Sequence, residues 1–196
     1  SQESIELCNL LKETHANETS PDVETVTLYL KTAKVTPQVL DFVFGNEYCD
    51  PQVLKLILRE ADKDDVLARL TRMIDFWSDD VESIKRILET GEVDVNYHRP
   101  RQRPLFWHVL IHYTELVPLL CKHGADVNIV YNGESTFTRL VKTLLETTYE
   151  LHTAKSILDL FYVNLSCLVK YGLTYENAKS SRYYGTERTG IVFLYY

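Results

Sequence analysis

The chain has 196 residues, 45% apolar and 25% charged, a composition that folds and is not that of a disordered segment. Its net charge is −7, with 16 acids against 8 bases in residues 1–80 and 12 against 13 in residues 81–196, which argues against general nucleic-acid binding through a basic surface. No apolar run approaches the ~18–20 residues of a membrane helix, and the opening Ser-Gln-Glu-Ser-Ile-Glu lacks the basic and apolar regions of a signal peptide.

Ser1 in place of Met is expected of an excised domain or a processed chain. Residues 1–20 carry a short apolar pattern, Ile5, Leu7, Leu10 and Leu11, that reads as a capping helix or a tail. Ser20-Pro21-Asp22 then starts a helix, with Ser20 at the N-cap, Pro21 at the first position, and Val23, Val26, Leu28 and Leu30 on its apolar side. Thr36-Pro37 opens a helix through Phe44 that stops at Gly45, and Asp50-Pro51 opens the next, with Val53, Leu54, Leu56, Ile57 and Leu58 apolar. The charged run Glu60–Asp65 leads into a helix from Asp64 to Phe76 carrying Val66, Leu67, Leu70, Met73 and Ile74 at helical spacing. A cation held by Asp62–Asp65 is a weaker reading than a solvated turn and helix N-terminus.

Two stretches further on repeat one another. Leu119–Asn128 reads Leu-Leu-Cys-Lys-His-Gly-Ala-Asp-Val-Asn, in which Gly124 supplies a left-handed cap and Lys122 and His123 suit the helix dipole. Asp80–Asn96 has the same helix, Gly91, and Asp-Val-Asn, with one extra residue after the glycine. Asn96 and Asn128 are 32 residues apart, close to an ankyrin period of about 33. Pro104-Leu105 falls between them where that family has the Pro-Leu of its Thr-Pro-Leu-His start, and Tyr131–Phe137 resembles its Asp-x-x-Gly-x-Thr-Pro-Leu, with Gly133 matching the glycine. The chain therefore resembles ankyrin repeats, most strongly over residues 80–128. It departs from them where Phe106 replaces the His, where His108 and Val109 replace Ala-Ala, and where the fingers after Asn96 and Asn128 are one residue short.

The resemblance implies an all-α, ankyrin-repeat-like solenoid of about five stacked helix pairs with short hairpin fingers. Residues 1–79 are then degenerate N-terminal helix pairs, 80–177 recognisable repeats with a helical insert at about 144–160, and 178–196 a C-terminal cap or a truncated repeat. Leu105, Leu116, Val117, Leu119, Leu120, Ile84, Ile87 and Leu88 are expected between the layers.

Cys8, Cys49, Cys121 and Cys167 have no paired spacing and are expected as reduced thiols. No catalytic set with specific spacing is present: no Gly-rich phosphate loop, no Gly-x-Ser-x-Gly and no His-Glu-x-x-His. His108 and His112 lie one helical turn apart, but a metal site needs a third ligand. Trp77 and Trp107 are read as packing residues. No enzyme activity, cofactor, metal or small-molecule substrate is expected.

The functional expectation is a protein-interaction module that binds its partner through a concave face and fingers. Arg99, Arg101 and Arg103 lie on the proline-stiffened loop Tyr97–Pro104, which loses less entropy on binding, although a merely solvated loop is the plain alternative. Aligned on Pro104, Leu110 and Ile111 fall where the family faces the concave surface; either they are exposed for a partner, or the insert or another repeat covers them. The expected partner is a protein with an acidic and apolar surface. Asn96 and Asn128, each after Asp-Val and eight residues past Leu88 and Leu120, resemble sites of asparaginyl hydroxylation in ankyrin repeats, against the simpler role of closing a turn. The degenerate repeats are similar to divergent ankyrin proteins that intracellular bacteria and poxviruses deploy in host cells. Cytoplasm or host cytosol is the expected compartment, with the nucleus as an alternative. The competing functional reading is a regulatory or targeting domain excised from a larger enzyme.

Overall fold

Two helix starts in the first half of the chain are set by short polar side chains placed before proline. Thr36 Oγ1 accepts a hydrogen bond from the Val39 amide at 3.5 Å and Asp50 Oδ1 one from the Gln52 amide at 2.7 Å, each with a proline in the first turn, where its missing N–H leaves no acceptor wanting. The computed structural model describes residues 1–76, 81–147 and 154–174. These are mostly helical, in line with the all-α expectation, and the chain divides into two compact units, Ser1–Pro100 and Arg101–Tyr196.

The first unit contains α1 (Gln2–Ala16), α2 (Val23–Leu30), α3 (Pro37–Gly45), α4 (Pro51–Glu60), α5 (Lys63–Phe76) and α6 (Val81–Glu89). Helices pack on the helix two along: α1 on α3, α2 on α4, α3 on α5, with α6 also against α3 and α5. The apolar spacing accounts for this. Val53, Leu54, Ile57 and Leu58 of α4 and Ile84, Ile87 and Leu88 of α6 recur every three to four residues and are buried. Two local expectations are corrected. Asp22, not Ser20, caps α2 by accepting from the Thr25 amide at 2.9 Å, because the Ser20 hydroxyl is taken by the Asp50 amide at 2.8 Å. Leu28, expected on the apolar side, is 62% exposed.

A polar chain runs through this unit. Asn46, buried just past α3, donates from Nδ2 to the Thr19 carbonyl at 2.8 Å. The Arg86 guanidinium of α6 donates to the carbonyls of Asn46 at 2.7 Å and Phe44 at 3.4 Å, satisfying backbone acceptors that the end of α3 leaves open. Arg69 of α5 pairs with Asp41 of α3.

The second unit contains α7 (Leu105–His112), a 3-10 turn (Thr114–Leu116), α8 (Val117–Lys122), the hairpin strands β1 (Val130–Tyr131) and β2 (Glu134–Ser135), α9 (Thr136–Thr147) and α10 (Ala154–Lys170). Here α7 packs on α9, α8 on α10, and α9 on α10. Leu105, Leu116, Val117 and Leu120 are buried as expected, whereas Leu119 is only half-buried. Pro104 is the N-cap of α7 and not its first helical residue. The end of α8 is closed by Gly124 at φ +81, with Gly124 donating to Cys121 and Ala125 to Leu120, each at 3.0 Å; a side chain there would be strained. Glu134 of β2 pairs with Lys142 of α9. Trp107 is 3% exposed, as a packing residue should be. Trp77, residues 148–153 of the expected insert, and the cap expected at 178–196 lie outside the described residues.

Asn164 of α10 is fully buried, and neither its Nδ2 nor its Oδ1 has a hydrogen-bond partner among the described residues. A buried amide without partners costs stability that an apolar side chain of similar volume does not. Asn164→Leu is expected to raise stability by ~1–3 kcal/mol in urea unfolding; an unchanged or lowered midpoint would show that the amide is satisfied in solution.

Candidate partner-binding site

Each unit carries a loop built on a buried valine. In the first, Val95 is 4% exposed, Asp94 Oδ1 accepts from the Asn96 amide at 3.3 Å, and the Tyr97 amide donates to the Asp94 carbonyl at 3.0 Å. In the second, Val127 is 2% exposed and Asp126 Oδ1 accepts from the Asn128 amide at 2.9 Å. The valine pins the loop to the core and the aspartate closes a side-chain turn, so the residues beyond project from a fixed base.

In the first unit the projecting residues are latched to the start of α5. Asp62 caps that helix, accepting from the amides of Asp64 at 2.8 Å and Asp65 at 3.4 Å. Asp64 is thereby aimed at the loop. Its Oδ1 accepts from Arg99 Nε at 2.6 Å and from the Tyr97 hydroxyl at 2.7 Å, and its Oδ2 meets Arg99 Nη2 at 2.6 Å. This two-pronged fork fixes the plane of the guanidinium. The hydrogen bonds from Arg99 and then Tyr97 hold the Asp64 carboxyl below its ordinary value of 3.8, and the hydrogen bond to Asp64 raises the Tyr97 hydroxyl above 10.0. Lys63 pairs with Asp94 at 3.1 Å, and Arg59 with Glu92 at 2.9 Å. A depressed carboxyl contributes stability above its unfolded value and loses it as pH falls through the folded one. The Asp64 carboxyl carbon is therefore expected to titrate below pH 3.8 by NMR; a midpoint at or above 3.8 would mean that the latch is not formed.

In the second unit Asn132 and Gly133, at φ +51 and +78, form the two-residue turn between β1 and β2 that an antiparallel hairpin of right-handed twist favours. Beside it runs the loop 101–104. The Tyr131 hydroxyl reaches the Arg101 carbonyl at 3.5 Å, and the Tyr131 ring lies 5.7 Å from that of Trp107. Arg101 has φ +68, a backbone shape otherwise suited to glycine, and it stands 32 residues before Gly133.

The expected binding residues separate accordingly. Arg99 belongs to the first unit and its charge is matched by Asp64. Arg101 is exposed and Arg103 half-buried, and neither guanidinium has a hydrogen bond or ion pair among the described residues. Ile111 is half-buried. Leu110 is a correction: it is fully buried, because α9 packs over α7 and Thr143 Oγ1 donates to the Leu110 carbonyl at 2.8 Å. It is core and cannot meet a partner. Val130 of β1, 53% exposed and next in sequence to Tyr131, is an exposed apolar side chain of the hairpin that was overlooked in the sequence. Asn96 is exposed; Asn128 is half-buried, donating to the Gly172 carbonyl at 2.8 Å and accepting from the Thr174 amide at 2.8 Å, so its side chain ties its loop to a segment more than forty residues on and does not close its own turn. Among the described residues no group of His, Cys, Asp and Glu is arranged to hold a metal ion, and no helix is long and apolar enough to cross a membrane.

No family model, curated protein or solved structure matches this chain.

Proposed function

We propose that the chain is a protein-recognition domain in which both units are stacks of ankyrin-type helix pairs, without catalytic activity of its own. The observation that carries this reading is the recurring construction: helices seated on the helix two along, and Asp-Val-Asn turns with the valine buried, followed by a projecting loop. A helix pair cannot bury its apolar side alone, so neighbouring pairs share a core, and loops on such a core are presented rigidly. Interactions of this kind in the first unit link residues 31 to 35 positions apart, as Lys63–Asp94, Tyr97–Asp64 and Arg99–Asp64 do.

The binding surface is the loop and hairpin of the second unit, with Arg101, Arg103, Val130 and Ile111. The second unit carries 10 bases against 8 acids, while the first carries 11 against 20. The partner is accordingly a protein with acidic groups flanking a small apolar anchor. Arg grips a carboxylate in a bidentate fork, and complementary charge speeds encounter more than it adds affinity. Hydroxylation of the exposed Asn96 remains part of this proposal, with a mass gain of about 16 Da on its peptide as the readout; Asn128 is the poorer candidate because both ends of its amide are engaged.

The test is affinity capture from cell extract, quantified by mass spectrometry, with the parent and an Arg101→Glu/Arg103→Glu variant side by side. A protein enriched by the parent and lost with the variant supports the reading. Identical captures, or turnover of a substrate by the chain itself, would overturn it.

A further inference from the structure

Two of the four thiols meet. Cys121 lies on α8 and Cys167 on α10, and these two helices pack on each other within the second unit. With α8 packed on α10, the two thiols are near enough for Cys167 to act on the ionisation of Cys121. Both are free, Cys121 buried at 2% exposure and Cys167 half-buried. One thiol is therefore reachable from solvent and the other waits beneath it. Cys8 sits on α1 and buried Cys49 just before α4, both in the first unit.

We infer that Cys121 and Cys167 form a redox pair that a small-molecule disulfide closes into a staple between α8 and α10. The reaction has two balanced steps. The Cys167 thiolate attacks one sulfur of the small disulfide, whose other half leaves as a thiolate and takes up a proton. Cys121 then gives its proton to water and attacks the Cys167 sulfur, expelling the second half as a thiol. The two protein thiols are oxidised by two electrons and the small disulfide is reduced to two thiols. Burial first, and then the neighbouring Cys167, push the Cys121 thiol up to about 12. Little of it is thiolate near neutrality, so the second step is the slow one and the pair stays open while the surroundings are reducing. Once closed, the bond ties helices 46 residues apart in sequence and restrains the unfolded chain.

The experiment incubates the folded chain with oxidised glutathione, blocks the remaining thiols with N-ethylmaleimide, and maps the digest by mass spectrometry. The expected product lacks about 2 Da of mass, carries a Cys121–Cys167 linked peptide, keeps Cys8 and Cys49 alkylated, and melts at a higher temperature than the reduced chain. Cys8→Ser/Cys49→Ala, which retains only the pair, should give the same linkage, and Cys121→Ser should stop at a glutathione adduct on Cys167. A parent that stops at that adduct, leaves all four thiols alkylated, or links Cys167 to another cysteine as readily would overturn the inference. The same reaction in guanidinium, where the helices are unfolded, should lose the preference for this pair.

Discussion

Leu110→Ala is expected to destabilise the chain by ~2–5 kcal/mol, the range for truncating a buried leucine whose surroundings relax only partly. Leu110 is fully buried in α7 beneath α9, and the carbonyl of the same residue accepts the Thr143 hydroxyl at 2.8 Å. That polar contact holds α9 at a fixed distance, so the space left by three lost carbons cannot be closed by a slide of the helix. Urea unfolding measures the change as a lower midpoint at unchanged slope. A loss under about 1 kcal/mol is what an exposed leucine would give, and it would return Leu110 to the binding face.

The second large effect is expected at Arg86. Arg86→Met keeps the apolar stem but removes the guanidinium that donates to the Asn46 and Phe44 carbonyls. Hydrogen bonds from a charged donor contribute about 1.5–3 kcal/mol each, so a loss of that order is expected, centred on the Phe44 carbonyl because the Asn46 carbonyl also accepts the Cys49 amide at 3.1 Å. A second readout separates this from general loosening. Burial pushes the Cys49 thiol up to about 11, and the Arg86 charge holds it back from going higher. In Arg86→Met the Cys49 ionisation should move further up, whereas local unfolding would bring it down toward 9.0. A variant with parent stability and an unmoved thiol would show that Arg86 is merely a surface charge.

These two cases mark what could be read in the sequence. The helices from Pro37 and Pro51 were legible because a cap before a proline and an apolar period are local signals. The α2 cap was misplaced by two residues because Ser20 and Asp22 are equally good caps, and the choice falls to the Asp50 amide thirty residues away. Leu110 was misjudged for the same kind of reason: its neighbours in α7 do not decide its burial, the packing of α9 does. The Asp64 latch was missed although its signal existed, since Asp64 and Tyr97 stand 33 residues apart, close to the spacing of the two Asp-Val-Asn turns. Arg101 and Arg103 could be singled out as candidates because charges on a proline-bounded loop are visible without any knowledge of packing.

The latch also decides which substitutions can test binding. Arg99→Glu would set two carboxylates against each other at Asp64 and disturb the loop itself. Arg101→Gly/Arg103→Gln avoids this, since glycine accepts φ +68 as Gly133 accepts +78, and neither guanidinium has a hydrogen bond or ion pair among the described residues. The decisive measurement is an equilibrium titration of the captured partner against the parent and this variant, at low and high salt, with melting temperatures recorded for both. The account predicts that the variant binds about tenfold more weakly or worse at low salt, that the difference narrows as salt screens the charges, and that the melting temperature does not fall. Equal affinities at low salt would contradict it and reduce the loops to solvated connections.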